Sequence, residues 1–250
     1  MSSVKDKIFK SINESGVAIL PPMDAFDSIK LIRDADIHVE CAMLDPWYNK
    51  GTGGVLPDEE YDAFISKLLN DSSEICDLIY LWGFPEVIGP YVRYAPKDFY
   101  MAAWLTWYYK NCPSVIRGWR SSQNACIQFM KEGYKLHPEH FLNEEQKVRF
   151  DEGKMRFVPG PSSVIENPLI IGFVGKKEQT GHPSQKPEAV YDKLLLMALG
   201  KKETVFDPMA GSGTTGASAI KNEYNAILCD MNEDYIQIME KRLNVKRIEL

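Results

Sequence analysis

The 250-residue chain is 44% hydrophobic and 26% charged, with a net charge of −6. This length and composition suit one large α/β domain, and the acidic balance argues against a general nucleic-acid coat. Five scattered cysteines without a CxxC pair favour reduced thiols and no metal site. Residues 1–20 lack the order of a signal peptide and no apolar stretch reaches membrane-spanning length, so we expect a soluble cytoplasmic protein with no membrane partner.

The first third of the chain alternates apolar runs with segments of helical periodicity. The predicted elements are a strand at 16–21, a helix at 24–33, a strand at 37–44, a helix at 58–69 and a strand at 76–83. Asp24 is a suitable N-cap for the first of these helices. Strands that are apolar throughout and alternate with helices indicate a sheet covered on both faces.

The middle of the chain is aromatic, basic and less regular. Two strands are predicted near 102–109 and 124–130, joined by a polar, basic loop, and residues 132–181 are expected to form an insertion or substrate loop. Residues 100–186 contain 12 Lys or Arg against 8 Asp or Glu, so the remainder of the chain carries the acidic excess. A locally basic middle is typical of a polyanion-binding face, although a chance surface distribution explains the charge alone equally well.

The last third regains regular periodicity. We predict a helix that starts at Pro187 and stops at Gly200, a strand at 203–207, a helix ending near Lys221, a strand at 225–230 and a helix at 233–243.

A glycine-rich turn joins the strand at 203–207 to the following helix. Gly211, Gly213 and Gly216 form a GxGxxG pattern, and Asp230 ends the next strand 19 positions after Gly211. This order of strand, turn, helix, strand and acid favours a nucleotide-type ligand over a merely structural turn. Since the strand before the turn ends in the carboxylate of Asp207, the site suits a cationic ligand such as S-adenosylmethionine better than a pyrophosphate.

The segment Asp45-Pro46-Trp47-Tyr48 follows a strand that should be buried. Alone it permits two interpretations: a strand end whose rings complete a core, or a carboxylate and a ring assembled for chemistry.

Several motifs together resemble the β class of DNA amino methyltransferases. They are DPWY at 45–48, HPSQKP at 182–187, DPMAGSGTTG at 207–216, AILCDMNEDYIQIMEKRL at 226–243, and a Trp, Lys, Asn, Pro, Arg, Ser and Phe-x-Lys pattern in 107–131. The sequence departs from the family at Trp47, where a second proline is usual, and at Met209, where phenylalanine is usual.

This resemblance implies a Rossmann-like class I methyltransferase α/β fold: a twisted, seven-stranded, mostly parallel sheet with one reversed strand and helices on both faces. It divides the chain into a catalytic half at 1–131, a target-recognition insertion at 132–181 and a cofactor-binding half at 182–250. It also implies S-adenosylmethionine as methyl donor and double-stranded DNA as substrate, in a bacterial or phage-infected cell. A homodimer and a cognate restriction endonuclease are partners consistent with the family.

The resemblance also implies the site residues. The catalytic set is Asp45, Pro46, Trp47 and Tyr48. The cofactor set is Asp24, Lys186, Asp207, Pro208, Met209, Gly211, Gly213, Thr214, Asp230 and Met231. The proposed DNA contacts are Lys110, Arg117, Arg120 and Ser121; the clustering of the three cations in a polar loop favours DNA binding, although surface solvation explains any one of them equally well.

The expected chemistry is methylation of an exocyclic amine. Asp45 and the Pro46 carbonyl would accept the amino hydrogens, and Tyr48 would stack on a base flipped out of the duplex. An aspartate opening the tetrapeptide favours adenine N6. The alternatives are cytosine N4, methylation of RNA or a protein amide, and a catalytically silent DNA-binding subunit.

Overall fold

A computed structural model describes residues 3–50, 54–112 and 118–250, which form one mixed sheet with helices on both faces. The eight strands are β1 (Val17–Ile19), β2 (Val39–Leu44), β3 (Cys76–Gly83), β4 (Phe99–Tyr108), β5 (Gln123–Lys131), β6 (Val164–Glu166), β7 (Thr204–Asp207) and β8 (Asn225–Leu228). The helices are α1 (Val4–Ser15), α2 (Ala25–Asp34), α3 (Asp58–Ser73), α4 (Pro85–Ile88), α5 (Glu144–Asp151), α6 (Glu188–Ala198), α7 (Thr214–Lys221) and α8 (Glu233–Leu243), with 3₁₀ turns at Gly89–Arg93 and Pro138–Phe141.

The strands lie in the order β1-β8-β7-β2-β3-β5-β4-β6. All neighbouring pairs are parallel except those that involve β5, which is antiparallel to both β3 and β4. The predicted fold class and its single reversed strand are therefore confirmed.

The strand count of seven is wrong for the described residues, because β6 adds an eighth. It pairs in parallel with Thr106–Tyr108 of β4, inside the region expected to be irregular. Only Ile165 of its three residues is buried, and three residues are too few to produce a recognisable alternation. The proposed division of the chain into two halves and an insertion stays a prediction.

The sheet separates two apolar layers, which explains why the central strands are apolar throughout. In β2, Ala42 and Leu44 pack into one layer and Cys41 and Met43 into the other. α1, α2 and α3 contribute to the first layer, and α6 and α8 contribute to the second. All five cysteines are thiols. Among the described residues, no helix is both long and apolar enough to cross a bilayer.

Candidate active site

The carboxyl ends of the parallel strands meet at one edge of the sheet, and three acids lie there. Asp207 is the last residue of β7, while Asp45 and Asp230 follow β2 and β8 closely. β7 lies between β2 and β8 in the sheet. Ligands of open α/β sheets bind at this edge, and the separate motifs of the sequence converge on it.

The glycine turn wraps around the Asp230 side chain. The Gly211 N–H donates to Asp230 Oδ2 at 3.0 Å, and the Asn232 N–H donates to Asp230 Oδ1 at 2.9 Å. Gly211 and Gly213 have φ angles of 50° and 75°, a region in which side chains are strained. A Cβ at Gly211 would also lie 2.9 Å from His182 Nε2. The turn therefore requires glycine for its backbone shape and for close packing.

Two of the carboxyls are buried and poorly solvated. Burial raises the pKa of Asp207 to about 7, although hydrogen bonds from the Thr215 hydroxyl and the Met209 N–H lower it. Burial also raises the pKa of Asp230, against the lowering effect of the Asn232 and Gly211 N–H groups. A cation placed between them would favour the ionised form of both carboxyls.

Asp45 lies in a compact polar cluster with Lys186 and Tyr48. Lys186 Nζ forms an ion pair with Asp45 Oδ2 and donates to the Tyr48 hydroxyl at 2.9 Å. The Tyr48 hydroxyl in turn donates to Asp45 Oδ1 at 3.0 Å. The Lys186 side chain is only 5% exposed, and its Nζ lies 5.3 Å from the centre of the Trp82 ring. Both oxygens of Asp45 are thus held in fixed positions.

The ring of Tyr48 is also held on its other side. It meets Phe84 edge to face, with the ring centres 4.9 Å apart. Burial and the neighbouring Asp45 carboxylate raise the pKa of the Tyr48 hydroxyl far above its usual range. Tyr48 is therefore a neutral hydrogen-bond donor in a fixed orientation.

Trp47 points into the apolar layer beside α3. Its ring centre lies 4.7 Å from that of Phe64 and 5.5 Å from that of Tyr61. The Tyr61 hydroxyl donates to the Trp47 carbonyl at 2.8 Å. The indole N–H is buried and has no hydrogen-bond partner within residues 3–50, 54–112 and 118–250. This placement anchors the tetrapeptide to α3.

Lys186 connects the Asp45 cluster to the glycine turn. Its carbonyl accepts a hydrogen bond from the Thr214 hydroxyl at 3.1 Å. Arg242 Nη1 donates to the same Thr214 oxygen at 3.1 Å and to the Ser212 carbonyl at 3.0 Å. Arg242 Nη2 is paired with Glu188 at 2.7 Å. Lys186 was predicted as a cofactor residue, but its ammonium group contacts Asp45 and Tyr48.

The other predicted cofactor residues surround the same edge. Pro208 is buried, while Met209 is half-buried and packs against the layer that contains Trp47. Asp24 caps α2 by accepting from the Phe26 N–H at 2.8 Å. Met23 donates to the Asp230 carbonyl at 3.2 Å, so Asp24 is one residue from that contact. The Met231 side chain is 73% exposed beside Asp230.

The predicted DNA contacts are less closely grouped. Arg120 and Ser121 are exposed on the segment that leads into β5, and the neighbouring Trp119 is 86% exposed. Lys110, just after β4, is paired with Glu166 at 2.5 Å. Arg117 lies outside the described residues. Since β4 is antiparallel to β5 and β5 to β3, the connection after β4 emerges at the same edge as Asp45.

Sequence reasoning missed three side chains of this site. Thr215 binds Asp207, Arg242 holds the glycine turn, and the His182 ring packs against Tyr235 with ring centres 4.3 Å apart. Burial lowers the pKa of His182. All three residues belong to the quoted motifs, so their spacing was a usable signal.

One group of possible metal ligands lies elsewhere in the described chain. His137, Glu139 and His140 are within ligand distance of one another. His140 Nδ1 lies 2.8 Å from the Leu196 carbonyl near the end of α6. The expectation of no metal stays a prediction.

The doubly wound sheet, the glycine turn between two acids and the acid-led tetrapeptide together define a class I methyltransferase fold. The chain belongs to the DNA methylase family of N6 and N4 methyltransferases, which it matches over residues 40–241.

Individual relatives agree with this assignment. Type II methyltransferase M.HpaI of Haemophilus parainfluenzae is 26% identical over 87% of this chain and 72% of its own length. DNA adenine methyltransferase YhdJ of Escherichia coli K12 is 41% identical over a shorter stretch, 34% of this chain and 28% of its own length.

Solved structures show the same fold. The M1.HpyAVI–SAM complex superposes with a TM-score of 0.69 over 92% of this chain and 100% of that chain, at 20% identity. The cytosine-N4-specific PvuII DNA methyltransferase gives 0.63 over 94% of this chain and 97% of that chain, at 14% identity.

Proposed function

We propose that the protein transfers the methyl group of S-adenosylmethionine to the N6 amino group of an adenine flipped out of duplex DNA. The observation that carries this proposal is the Asp45 cluster, in which Lys186 and Tyr48 hold a carboxylate at the strand edge that also carries the glycine turn. A carboxylate that accepts hydrogen bonds beside a turn suited to a cationic cofactor would assist a weakly nucleophilic amine in attacking an activated methyl group.

The residues of the turn fit the cofactor. Asp207 supplies a buried negative charge for its cationic amino-acid part, and the glycines allow close approach of the backbone. Asp230 would accept hydrogen bonds from the ribose hydroxyls, and the exposed Met231 side chain would provide an apolar surface for the adenine ring. When bound, S-adenosylmethionine supplies a methyl group already activated on a sulfonium.

Asp45 would act as a hydrogen-bond acceptor for the target amine. Each carboxylate oxygen has more than one acceptor position, so Asp45 can bind an amino hydrogen while it keeps Lys186 or Tyr48. The Pro46 carbonyl would accept the second hydrogen, and the nitrogen lone pair would then point at the methyl group. The amine becomes acidic as its bond to carbon forms, and Asp45 takes up the released proton at that stage.

Tyr48 would present its ring to the flipped base. Base–aromatic stacking contributes about 1–3 kcal/mol and offsets part of the cost of unstacking. Trp47 would act indirectly, because its ring packs on Phe64 and Tyr61 and so fixes the position of the two residues that flank it.

Names of relatives support the biological setting. M.HpaI is named a type II methyltransferase, and we infer site-specific methylation within a restriction–modification system in the cytoplasm, with a cognate endonuclease. Homodimer formation stays a prediction.

One assay tests the base and the nucleic acid together. The protein is incubated with methyl-labelled S-adenosylmethionine and unmethylated duplex DNA, and the digested nucleosides are separated. N6-methyladenine is the expected product. N4-methylcytosine would instead support the alternative base, for which the PvuII enzyme provides a structural precedent. Label in RNA but not in DNA would refute the proposal.

A further inference from the structure

The segment from Ile170 to Gln179, termed here the Phe173 loop, exposes an apolar tip. Phe173 is 92% exposed, and its neighbours Ile171 and Val174 are 40% and 39% exposed. Three exposed apolar side chains within four residues of one turn form a contiguous patch, and such patches mark interaction sites whereas single exposed apolar residues do not. The tip therefore has the character of a contact surface.

The backbone of the Phe173 loop is held by its own hydrogen bonds. Gln179 Nε2 donates to the carbonyls of Gly172 and Val174, at 3.0 and 2.9 Å. The Val174 and Glu178 N–H groups donate to Ile171 and Gly175 across the turn, at 3.0 and 2.8 Å. Phe173 is thus displayed on a preformed turn, so that little conformational entropy is lost on binding.

A second glutamine joins this loop to the active site. Gln185 Nε2 donates to the Glu178 carbonyl at 2.7 Å, and Gln185 Oε1 accepts from the Thr180 N–H at 3.0 Å. The next residue is Lys186, which binds Asp45. The backbone that carries the exposed ring is therefore joined to Lys186, and through it to Asp45, by a short, hydrogen-bonded segment.

The charge around the tip favours a polyanion as the occupant. Lys176 and Lys177 are both exposed, three and four residues beyond Phe173. An apolar ring flanked by cations suits a nucleic acid, in which stacked bases lie between two lines of phosphates. A protein partner would need an apolar surface that fits Phe173, but it would not need the two adjacent lysines.

We propose that Phe173 is a wedge that enters the base stack of duplex DNA beside the flipped nucleotide, with Lys176 and Lys177 on the flanking phosphates. The proposal rests on the proposed function for its substrate. When the target base leaves the helix, the base next to it loses a stacking contact. The Phe173 ring replaces that contact and so stabilises the duplex with the target base flipped out.

The test uses the full-length protein and a short duplex that contains its methylation site, with 2-aminopurine in place of the target base. Phe173→Ala should weaken duplex binding about tenfold and reduce the rise in 2-aminopurine fluorescence that accompanies base flipping. Phe173→Trp should keep both properties. A mismatch opposite the target, which lowers the cost of flipping, should reduce the defect of Phe173→Ala.

Two control variants separate the contributions. Phe9→Ala removes a 40% exposed phenylalanine from α1 and should leave DNA binding unchanged. Lys176→Gln combined with Lys177→Gln should lower the salt dependence of binding, with the log–log slope reduced by about two, and should spare the fluorescence change of the bound complex. S-adenosylmethionine binding should be unaffected in all variants.

Failure of the wedge and failure of the proposed function give different results. If wild type methylates the same duplex with adenine at the target position, and Phe173→Ala binds and flips the 2-aminopurine duplex within twofold of wild type, the wedge is refuted. The same holds if Phe173→Ala changes only the oligomeric state in sedimentation, because the loop would then contact a second copy. If wild type transfers no methyl group to duplex DNA, the proposed function itself fails.

Discussion

Asp45 and Lys186 depend on each other, because each neutralises a charge that has little access to water. The Lys186 side chain is 5% exposed and that of Asp45 is 20% exposed. Removal of one member of such a pair leaves the other charge without compensation.

Substitution of Asp45 should therefore affect both activity and stability. We expect Asp45→Ala to lower methyl transfer by about 10²–10⁴-fold and the free energy of unfolding by about 3 kcal/mol, through the unpaired ammonium group. Lys186→Met added to Asp45→Ala should recover most of the stability and none of the activity. Urea unfolding and labelled-methyl transfer measure the two effects. Unchanged activity in Asp45→Ala would contradict the assigned role.

Asp207 predicts a pH dependence with opposite signs for ligand binding and stability. Burial raises its pKa in the folded protein to about 7 from an ordinary value of 3.8. Between pH 3.8 and about pH 7, Asp207 is protonated in the folded chain and ionised in the unfolded chain. The contribution of Asp207 to the free energy of unfolding therefore decreases as pH rises through this range. A cationic cofactor needs the ionised form, so its affinity should rise as pH approaches 7, by up to about tenfold per unit.

Titration calorimetry at several pH values tests the Asp207 prediction. Asp207→Asn should bind S-adenosylmethionine weakly, and its affinity should not change with pH below 7. Its free energy of unfolding should also lose the decrease with pH that is due to Asp207. Thr215→Val, which removes one hydrogen bond to Asp207, should shift the wild-type profile to higher pH. A pH-independent affinity of wild type between pH 5 and 7 would contradict a buried, protonatable Asp207.

The sequence located the residues of the site better than it described their contacts. It indicated Asp45, Asp207 and Asp230 because an acid at the end of an apolar strand is a local pattern. The ion pair of Lys186 with Asp45 joins residues 141 positions apart, so no local pattern contains it. The direction of the Trp47 ring depends on space beside Phe64 and Tyr61, which only the assembled core defines.

At the scale of elements, α7 lies unusually close to its neighbours, and this contact depends on Gly216. A Cβ at that position would lie 2.6 Å from Leu228 Cδ1 and 2.7 Å from Leu243 Cδ1. The third glycine of the GxGxxG pattern thus serves packing of the helix against β8 and α8, whereas Gly211 and Gly213 serve the backbone of the turn.

Gly216→Ala should consequently destabilise the protein despite the better helix propensity of alanine. We expect a loss of about 1 kcal/mol, since overpacking outweighs the gain in propensity. Adding Leu243→Ala should relieve the crowding, and the two changes should be non-additive. Gly89→Ala is the matched control, because a Cβ there meets nothing within 4 Å. Thermal unfolding measures Gly216→Ala, Leu243→Ala, the double variant and Gly89→Ala. A Gly216→Ala protein more stable than wild type would contradict close packing.

Most elements with a continuous apolar run or regular periodicity were predicted, but the helix α1 was not, although Ser3 caps it and its buried face carries Ile8 and Ile12. α2, β3 and α8 have capping residues, continuous apolar runs or regular periodicity, and each lies within a few residues of its predicted position. β6 was missed because its pairing with β4, rather than its own three residues, makes it a strand.

On the scale of the whole molecule, the two ends of the chain are interleaved in one sheet. β1 pairs with β8, while β7 lies between β8 and β2. The Ile248 N–H also donates to the Ile19 carbonyl at 2.8 Å, so the C-terminal residues close over β1. Neither end can complete its sheet pairing or its apolar layer without the other.

This interleaving predicts that the chain unfolds as one cooperative unit. A fragment of residues 1–181 lacks β7 and β8, so β1 has no neighbouring strand and one edge of β2 is unpaired. We therefore expect that this fragment does not fold by itself. Mixing it with residues 182–250 should restore a cooperative transition, as followed by circular dichroism. A sharp thermal transition of the 1–181 fragment alone would show that the two parts fold separately.

The hydrogen bond from Thr214 to the carbonyl of Lys186 has a consequence for substitutions at residue 186. Any amino acid supplies a main-chain oxygen, so the link between the glycine turn and this position does not depend on the side chain that the position carries. A substitution at residue 186 would therefore remove the charge that compensates Asp45 while the link to the turn is retained. The electrostatics beside Asp45 and the backbone of the glycine turn are thus supported by different atoms of the same residue.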